Sequence, residues 1–598
     1  MDDRISQLPI PILHKILCFL PQKEAVRTCL LSKQWHHIAS TRPNLEFSEK
    51  WFKINHTQEK FVPVVDRTLQ RCREPNRSKL HRIISLLLCR QWRRNNGSIR
   101  PNLDSSQNLL NTTQQNCVSV NSSIGSTSPN LDSSEQLFNT TQQSFVSVTE
   151  RTLQGYHDQN ISIQKFHLDL FWPLSPPVIS LLDKWIPIIA ALNIKAFKLN
   201  FHSYTPPYYD LPSAVLLAES LEELHLSKCR LSPVESVKFK SLRTLTLEQV
   251  QVDDVTLENI LSGCPLLGRL VLDSCEGLRN IRIEGLEHFE LTDHEWIRGR
   301  SIEIDAPNLE TVSITGLWIW SHRQSTFLFS RLTSLDLYYV KLSSESFDLL
   351  SFGCPTLESL NLHECFGFKE IYLANDSVKN LCIWTGRILL KGVTICAPKI
   401  VDFEFTAPIS KVPDTFSVAA TTSKEWHSYV VLSSREDDHD FDANSWFLRL
   451  RRMLKALSGS RISLILEMPC SVVDCSHILS DHPPVVVEKL TFNTCISRTA
   501  SWYKDFTNGL FRVCRPRHIW GCTNRLSEFQ FNILLANESL GTEPYFWGHE
   551  LEQVHMKTGN GKIWQLVEWT DLSELRNRTY TYDDIMCLEL KWRGQKAA

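Results

Sequence analysis

The sequence holds few residues whose type and spacing could support catalysis or metal binding. The strongest metal-ligand candidates follow the pattern C-x4-C-x-H-x4-H: Cys470, Cys475, His477 and His482. This pattern fits no standard zinc site, so we interpret the four as scattered core and surface residues. The chain also lacks a phosphate-binding G-x-x-x-x-G-K-[ST] loop, a G-x-S-x-G nucleophile elbow and any C-x-x-C pair. We therefore expect no catalytic residue, no metal and no cofactor.

Two groups of basic side chains could contact phosphate or direct nuclear import. They are Arg90, Arg93 and Arg94, and Arg449, Arg451, Arg452 and Lys455. Charged runs usually lie on solvated surfaces, and the whole chain is nearly neutral, with 64 Lys and Arg against 66 Asp and Glu. This balance argues against nucleic acid or a membrane surface as the main partner, and we predict neither.

The composition is that of a folded protein with more than one core. The chain has 598 residues, of which 42% are apolar, and no run of eighteen apolar residues. The first residues, Met-Asp-Asp-Arg, lack the zones of a signal peptide. We therefore expect the 18 cysteines to be free thiols in a reducing compartment, and the protein to be located in the cytoplasm and/or nucleus.

A pattern of the form L-x-x-L-x-L recurs from about residue 160. Nine copies begin 19 to 25 residues apart, which is the period of a leucine-rich repeat. The copies begin at Leu221, Leu242, Leu267, Leu286, Leu309, Leu332, Leu357, Val378 and Ile400. Each L-x-L alternation predicts a short strand with one inward face, followed by a Cys or Val that turns the chain inside the core. Stacked repeats expose a long surface of the kind that binds proteins.

The C-terminal part carries weaker repeat signals. Residues 486–492 and 526–531 alternate as repeat strands do. Asn560-Gly561, the preferred dipeptide of a type I′ turn, lies between two further stretches, 553–557 and 562–568. We predict that the repeats continue here and end in a hairpin cap.

The N-terminal segment 8–38 is unusually apolar for its length. Its first predicted helix ends at Pro21 and carries one apolar stripe: Ile12, Leu13, Ile16, Leu17 and Leu20. A second short helix begins near Ala25, and Trp35 opens a third. A domain of about forty residues cannot bury this much apolar surface alone without disulfides or metal. We therefore expect a partner to complete it.

The order of residues from about 4 to 47 resembles the F-box. The likeness rests on Leu8-Pro9, Ile12-Leu13, Ile16-Leu17, Phe19-Leu20-Pro21, Ala25-Val26-Arg27 and Leu31-Ser32-Lys33-Gln34-Trp35. F-box proteins bind a Skp-type adaptor and, through it, a cullin, and the resemblance implies these partners here. It implies adaptor contact through Leu8, Pro9, Ile12, Leu13, Ile16, Leu17, Leu20, Pro21, Val26, Leu31, Ser32, Lys33 and Trp35. The alternative is an ordinary helical hairpin packed on the rest of the chain.

The whole arrangement resembles the plant F-box/leucine-rich-repeat proteins, and residues 545–547 and 569–578 strengthen the likeness. It implies an α/β fold in which an N-terminal three-helix F-box precedes an irregular leucine-rich-repeat solenoid, with a low-complexity insert between them. The expected divisions are an F-box at 1–48, a linker at 49–70, a polar insert at 71–154, repeats at 155–410, and their continuation with the hairpin cap at 411–598.

The insert contains copied sequence. Of the 53 residues from 97 to 149, 31 are Ser, Thr, Asn or Gln, which predicts disorder. Residues 101–120 and 129–148 are identical at 15 of 20 positions, and residues 61–70 match 145–154 at 7 of 10. We hypothesise that residues 71–154 are an insertion, or a stretch wrongly retained in the product; a phosphorylated regulatory loop is the alternative. A real insert would make the spacing between ligase and target looser than the resemblance implies.

The resemblance implies a substrate-recognition subunit of a ubiquitin ligase. Such a subunit binds the adaptor through the F-box and a target protein through the repeats, and promotes ubiquitination by proximity, without catalytic residues of its own. The alternatives are a leucine-rich scaffold that acts outside a ligase and, third, an enzyme with an unrecognised site. A small molecule could bind in the solenoid, as in some plant hormone receptors of this architecture, although no residues identify its site. The sequence does not identify the target.

Overall fold

A computed structural model provides the structure of the protein. It describes residues 8–18, 20, 25, 28, 33–48, 131–159, 161, 163–202, 208–233, 237–294, 297–321, 329–386, 388–420, 425–433, 443–468, 483–494, 500–520, 547–558, 565–567 and 585–594. The chain divides into two compact units, residues 1–242 with 263–265 and residues 243–262 with 266–598. The expected α/β fold, with an F-box followed by irregular leucine-rich repeats, is confirmed.

The first unit begins with a small helical core. Helices α1 (Ile10–Cys18) and α2 (Lys33–Ser40) pack together. Their shared core is almost fully buried and consists of Leu13, Leu17, Ala25, Trp35 and Ile38. The spacing of these apolar residues explains both helices, because positions four apart lie on one face. Most of the expected second helix, and Pro21, lie outside the described residues.

Parallel strands follow the F-box helices in the first unit. The strands are β1 (Asn44–Ser48), β2 (Lys165–Leu170), β3 (Ala196–Phe201), β4 (Tyr209–Asp210), β5 (Glu223–Ser227) and β6 (Cys229–Arg230). Strands β1, β2, β3 and β5 form one sheet in that order, and β4 pairs with β6. The buried rings of Phe47, Phe166 and Phe197 follow one another across the sheet, with centroids 5.7 and 6.2 Å apart.

Helix α3 (Leu131–Asp158) differs from the disorder expected for residues 71–154. Its C-terminal half packs on α4 (Pro176–Ala191), and a short helix, α5 (Ser213–Leu216), follows later in the chain. One face of α3 is buried, through Phe145, Thr149, Leu153 and Tyr156. These residues are spaced four, four and three apart, so they form an amphipathic stripe that the averaged polar composition of the insert conceals. Residues 71–130 lie outside the described part of the chain.

The packing of α3 bears on the hypothesis that residues 71–154 are an insertion. Residues 61–70 repeat the sequence of 145–154, with Phe61, Val65 and Leu69 at the spacing of the buried stripe. A chain without residues 71–154 would join Gln70 to Gly155 and keep this stripe.

We expect the variant lacking residues 71–154 to fold with a melting temperature close to that of the full chain, because Phe61, Val65 and Leu69 then supply the buried face. Far-ultraviolet circular dichroism with thermal unfolding measures this. The matched control adds Phe61→Ala to the deletion and should lose about 3–5 kcal/mol of stability. An unfolded deletion variant, or one indifferent to Phe61→Ala, would contradict the expectation.

The second unit contains a long parallel sheet. Its first part comprises β7 (Thr244–Glu248), β8 (Arg269–Asp273), β10 (His288–Thr292), β12 (Thr311–Thr315), β14 (Ser334–Tyr338), β15 (Ser359–His363), β17 (Asn380–Trp384) and β19 (Asp402–Pro408). The sheet continues through β21 (His427–Ser433), β22 (Arg461–Met468), β23 (Val485–Thr494) and β24 (Cys514–Trp520). Neighbours pair in register, with the inward residues of each L-x-L stacked on those of the next strand.

Each predicted copy of the repeat forms a strand, and several copies turn in the same way. The residue after the strand has a positive φ in five of them, at Lys228, Gln249, Ser274, Tyr339 and Glu364. The next residue is a buried Cys or Val, such as Cys275 or Cys365. The Sγ atoms of these two cysteines lie 3.4 and 3.3 Å from the carbonyl oxygens of Leu247 and Leu337, to which the thiols donate. Burial raises the pKa of both thiols to about 12, as expected of residues that act in packing.

Other elements of the second unit cover the edges of the repeat core. Two further parallel sheets consist of β9 (Asn280–Glu284), β11 (Arg300–Asp305) and β13 (Trp318–Ser321), and of β16 (Glu370–Ala374), β18 (Gly392–Cys396) and β20 (Thr415–Ala419). The helices are α6 (Asp254–Ser262), α7 (Ser344–Asp348), which runs into a π-helical turn at Leu349–Gly353, α8 (Ala443–Ala456) and α9 (Ala500–Val513). Short 3-10 turns occur at Ile409–Lys411 and Trp547–Glu550.

Three antiparallel strands end the second unit. They are β25 (Leu551–Thr558), β26 (Gln565–Val567) and β27 (Ile585–Trp592). Strand β27 pairs with both β24 and β25, and β26 pairs with β25 on the two sides of Asn560-Gly561. The stretch 526–531, expected to be a strand, lies outside the described residues.

A buried ion pair lies in the second unit beside β11. The carboxylate of Asp293 accepts a hydrogen bond from the guanidinium of Arg300, and both residues are at most 5% exposed. The guanidinium carbon of Arg300 also lies 5.5 Å from the ring centroid of Trp318. Removing one member would take from the other its buried, oppositely charged partner.

We expect Asp293→Ala to lower the free energy of unfolding by about 3–5 kcal/mol, because it removes the buried carboxylate that pairs with the Arg300 charge. The control is Glu303→Gln, which breaks the more exposed pair with Arg282 and should cost less than about 1 kcal/mol. Urea unfolding followed by tryptophan fluorescence distinguishes them. If the two substitutions lowered the free energy of unfolding equally, the buried pair would contribute no more to stability than the exposed one, and the prediction would be contradicted.

Candidate interaction surfaces

Helix α1 separates its apolar residues between the F-box core and the surface. Leu13 and Leu17 are fully buried, whereas Ile10 and Ile12 are 48% and 46% exposed. Pro9 is also exposed, and Leu8 is half-buried against the core. We call the residues Leu8, Pro9, Ile10 and Ile12 the apolar edge. A soluble chain rarely exposes consecutive large apolar residues, and such a patch is typical of a binding surface.

The structure sorts the residues predicted to contact the adaptor into three groups. Pro9 and Ile12 are exposed, and Leu8, Ile16 and Leu20 are half-buried around the core. Leu13, Leu17 and Trp35 form the interior of the F-box itself, so their side chains hold its shape. Lys33 begins α2, while Pro21, Val26, Leu31 and Ser32 lie outside the described residues. Adaptor contact by the exposed members stays a prediction.

The outward face of the first unit's sheet carries a group of titratable residues. His167 lies 3.0 Å from Asp169 through Nε2 and Oδ1, and His202 lies 3.5 Å from the same oxygen. Glu46 on β1 lies 3.8 Å from His167. Burial opposes ionisation of Asp169, but the hydrogen bond and charge of His167 outweigh it and lower the pKa of Asp169 to about 2.

The low pKa of Asp169 makes its contribution to stability depend on pH. The ionised carboxylate stabilises the fold fully above about pH 4, the pKa of an unfolded Asp, and this stabilisation is lost as the pH falls through about 2. We expect Asp169→Asn to cost about 2 kcal/mol at pH 6 and progressively less below pH 4. Urea unfolding of both proteins from pH 3 to pH 6 measures the difference. Asp402→Asn, in an exposed pair with His427, is the control and should change little; a cost of Asp169→Asn that does not vary with pH would contradict the prediction.

The outward face of the second unit's sheet carries a row of rings. Tyr338 on β14, His363 on β15 and Trp384 on β17 are register partners on adjacent strands. The ring centroids of Tyr338 and His363 lie 4.4 Å apart and are stacked; those of His363 and Trp384 lie 5.5 Å apart, edge to face. Trp384 is 41% exposed. We call these three residues the aromatic row.

The aromatic row coincides with none of the motifs of the sequence. Its members are 21 to 25 residues apart and belong to variable positions of the repeat, where no motif marks them. The signal that could have found them is their common position, directly after the second apolar residue of the L-x-L pattern in three consecutive copies: Leu337, Leu362 and Ile383. Parallel, in-register pairing brings such positions together.

The described residues contain no group of three or more Cys, His, Asp or Glu side chains arranged to hold a metal ion. The weak zinc candidates Cys470, Cys475, His477 and His482 lie outside this part of the chain. Within the same part, no helix is both long enough and apolar enough to cross a bilayer.

The F-box core, the apolar edge and the stacked L-x-L strands together define an F-box protein with leucine-rich repeats. Comparison with known proteins agrees. The F-box domain family matches residues 5–47. The leucine-rich-repeat domain of At1g61320/AtMIF1 matches residues 156–320, and the repeats of the FBD-associated F-box protein At5g56370 match residues 316–403. In its combination of an F-box with leucine-rich repeats, the chain is similar to the plant F-box/leucine-rich-repeat proteins.

Individual relatives match parts of the chain at 23% to 33% identity. The F-box/LRR-repeat protein At3g03360 of Arabidopsis thaliana is 23% identical over 46% of this chain and 40% of its own length. The putative F-box/LRR-repeat protein At3g28410 of Arabidopsis thaliana is 33% identical over 21% of this chain and 27% of its own length. The F-box/LRR-repeat protein 25 of the same plant is 23% identical over 52% of this chain and 84% of its own length. The part of the chain that matches thus covers less than half of the length of each of the first two relatives.

Proteins that combine an F-box with leucine-rich repeats serve in general as substrate receptors of Skp–cullin–F-box ligases, and are typically non-catalytic. The F-box in general binds a Skp-type adaptor.

Proposed function

We propose that this protein is the substrate-recognition subunit of a Skp–cullin–F-box ubiquitin ligase. Its F-box binds a Skp-type adaptor and, through it, a cullin. Its repeats bind a target protein and hold it beside the transfer enzyme of the ligase. The target becomes ubiquitinated because it is kept close, so this chain needs no catalytic residue and no cofactor, and it acts in the cytoplasm and/or nucleus.

The observation that carries the proposal is the apolar edge, Leu8, Pro9, Ile10 and Ile12. Ile10 and Ile12 expose nearly half of their surface on a helix whose other apolar residues fill the F-box core. Since fully burying an exposed Ile side chain is worth about 1.5–3 kcal/mol, a partner that covers the exposed half of both residues gains about that amount in total. The match to the F-box domain over residues 5–47 supports a Skp-type adaptor as that partner.

We expect Ile12→Asp to weaken adaptor binding at least about thirtyfold, because it places a charge in the centre of an apolar contact, a loss of about 2 kcal/mol or more. Titration of the purified full chain with a purified Skp-type adaptor, by calorimetry, measures the affinity. The matched control is Lys15→Asp, an exposed position on the same helix but outside the apolar edge. It should change affinity little.

Circular dichroism of both variants keeps the test interpretable, because Ile12 lies outside the buried F-box core and its replacement should preserve the fold. The double variant Leu8→Ala and Pro9→Ala should weaken binding by the same mechanism. A folded wild-type chain that does not bind the adaptor would overturn the proposal and favour a scaffold that acts outside a ligase.

A further inference from the structure

The aromatic row lies among carboxylates on the second unit's sheet face. The residues two places before the row also face outward. They are Asp336 on β14, Asn361 on β15 and Cys382 on β17, and they align in register with Glu404 on β19. Asp336 and Glu404 are thus three strand spacings apart, about 14 Å, with the rings between and beside them. Asp336 accepts a hydrogen bond from the amide of Asn361, which holds its carboxylate on this face.

The negative charge extends over the outward positions of eight neighbouring strands, β7 to β19. Their outward side chains include six carboxylates: Glu248, Asp273, Glu290, Asp336, Asp402 and Glu404. Among the outward Lys and Arg positions of these same described strands there is only Arg269, and its guanidinium lies 3.5 Å from the carboxylate of Glu290. Basic outward residues begin farther along the sheet, on β22 to β24, with Arg461, Lys489 and Arg515. The face around the aromatic row is therefore acidic.

The histidine in the aromatic row does not offset this charge at neutral pH. Burial lowers the pKa of His363, and the nearby carboxylates of Asp336 and Glu364 only partly oppose that shift. The imidazole is therefore neutral near pH 7 and behaves as one more flat ring. Its Nε2 lies 3.7 Å from the thiol sulfur of Cys382, whose pKa burial raises to about 12, so that side chain is neutral as well.

The same sheet face also shows how a cation packs on an outward tryptophan. On β23 and β24, the ammonium nitrogen of Lys489 lies 4.9 Å from the ring centroid of Trp520. Trp384 presents a comparable indole, 41% exposed, with carboxylates nearby to attract the charge. A cation over an indole face gains about 0.5–1 kcal/mol at an exposed site and more when the site is covered.

We propose that this face binds an Arg- or Lys-rich segment of the target, with one cationic side chain on the ring of Trp384 and others paired with Asp336 and Glu404. The inference rests on the proposed function, since it names the chemical class of target that the repeats hold. Charge complementarity selects this occupant: an acidic segment would be repelled by the carboxylates of this face, and a purely apolar one would take Asp336 and Glu404 out of water without supplying an opposite charge.

The test measures binding of a short fluorescent peptide of alternating Arg and Gly to the purified full chain, by fluorescence anisotropy. A peptide of alternating Glu and Gly is the comparison. We expect the Arg peptide to bind at least tenfold tighter, and its affinity to fall as salt is raised, because exposed charges are screened. Equal binding of both peptides would overturn the proposal.

Two variants locate the binding. Asp336→Asn with Glu404→Gln should weaken binding of the Arg peptide about three- to tenfold, because each removes an outward-facing charge with little change of shape. Trp384→Ala should weaken it about three- to thirtyfold. The matched control, Glu284→Gln with Glu370→Gln, removes two exposed carboxylates from β9 and β16, outside the main sheet. If this control weakened binding of the Arg peptide equally, the attraction would come from the overall charge of the protein, and the proposed site on the sheet face would be overturned.

The result is separable from that of the proposed function. The same preparations are titrated with the Skp-type adaptor, whose predicted site is the apolar edge of the first unit. Adaptor binding without peptide binding retains the receptor role and overturns the cationic-segment inference. Peptide binding that depends on Trp384, without adaptor binding, retains the inference as a property of the face and overturns the ligase role. Circular dichroism confirms that Trp384→Ala is folded; should it unfold, the isosteric carboxylate variants decide the outcome.

Discussion

The repeat structure depends on the stacking of apolar pairs that no single repeat could bury alone. In strand after strand, the two inward residues of the L-x-L pattern lie on those of the neighbouring strand: Leu335 and Leu337 beside Leu360 and Leu362, for example. All four are almost fully buried. A shift of one residue in the register would turn these side chains to the solvent, so burial fixes the register. The alignment of the outward residues, which form the interaction surfaces, is a consequence of this inward constraint.

The same constraint joins the F-box to the repeats. Strand β1 follows the F-box helices directly and pairs in register with β2, although more than a hundred residues separate them in sequence. Arg42 donates a hydrogen bond to the carbonyl of Leu20, and the hydroxyl of Tyr156 donates one to the carbonyl of Arg42, 2.8 Å away. The paired strands thus hold the F-box beside the first repeat strand, whatever the length of the chain between them. Extending a closed connection from about 30 to about 120 residues costs about 1 kcal/mol, which the paired strands offset.

The sequence predicts the repeat strands and their inward residues. It does not predict the features that are set by tertiary packing. The second and third apolar residues of all nine copies lie in strands, because a periodic pattern of apolar residues specifies both the strand and its inward face. Helix α3 was missed because four buried residues are diluted in a Ser-, Thr- and Gln-rich tract. Ile12 was placed on the same stripe as Leu13, whereas the fold exposes one and buries the other. The difference is set by where α2 packs, and that is a tertiary contact.

The aromatic row shows the same limit at the level of function. Tyr338, His363 and Trp384 have no recognisable spacing relative to any catalytic or metal motif, and each alone is an ordinary variable residue. Their proximity arises because three consecutive strands pair in parallel register, which converts one repeated position into one line of rings. A repeat fold therefore separates the residues that determine its shape from those that determine what it binds. The inward leucines are constrained by every neighbour, while the outward positions are constrained only by the partner, so an acidic, ring-bearing stretch on an otherwise irregular face is best explained by the chemistry of what it contacts.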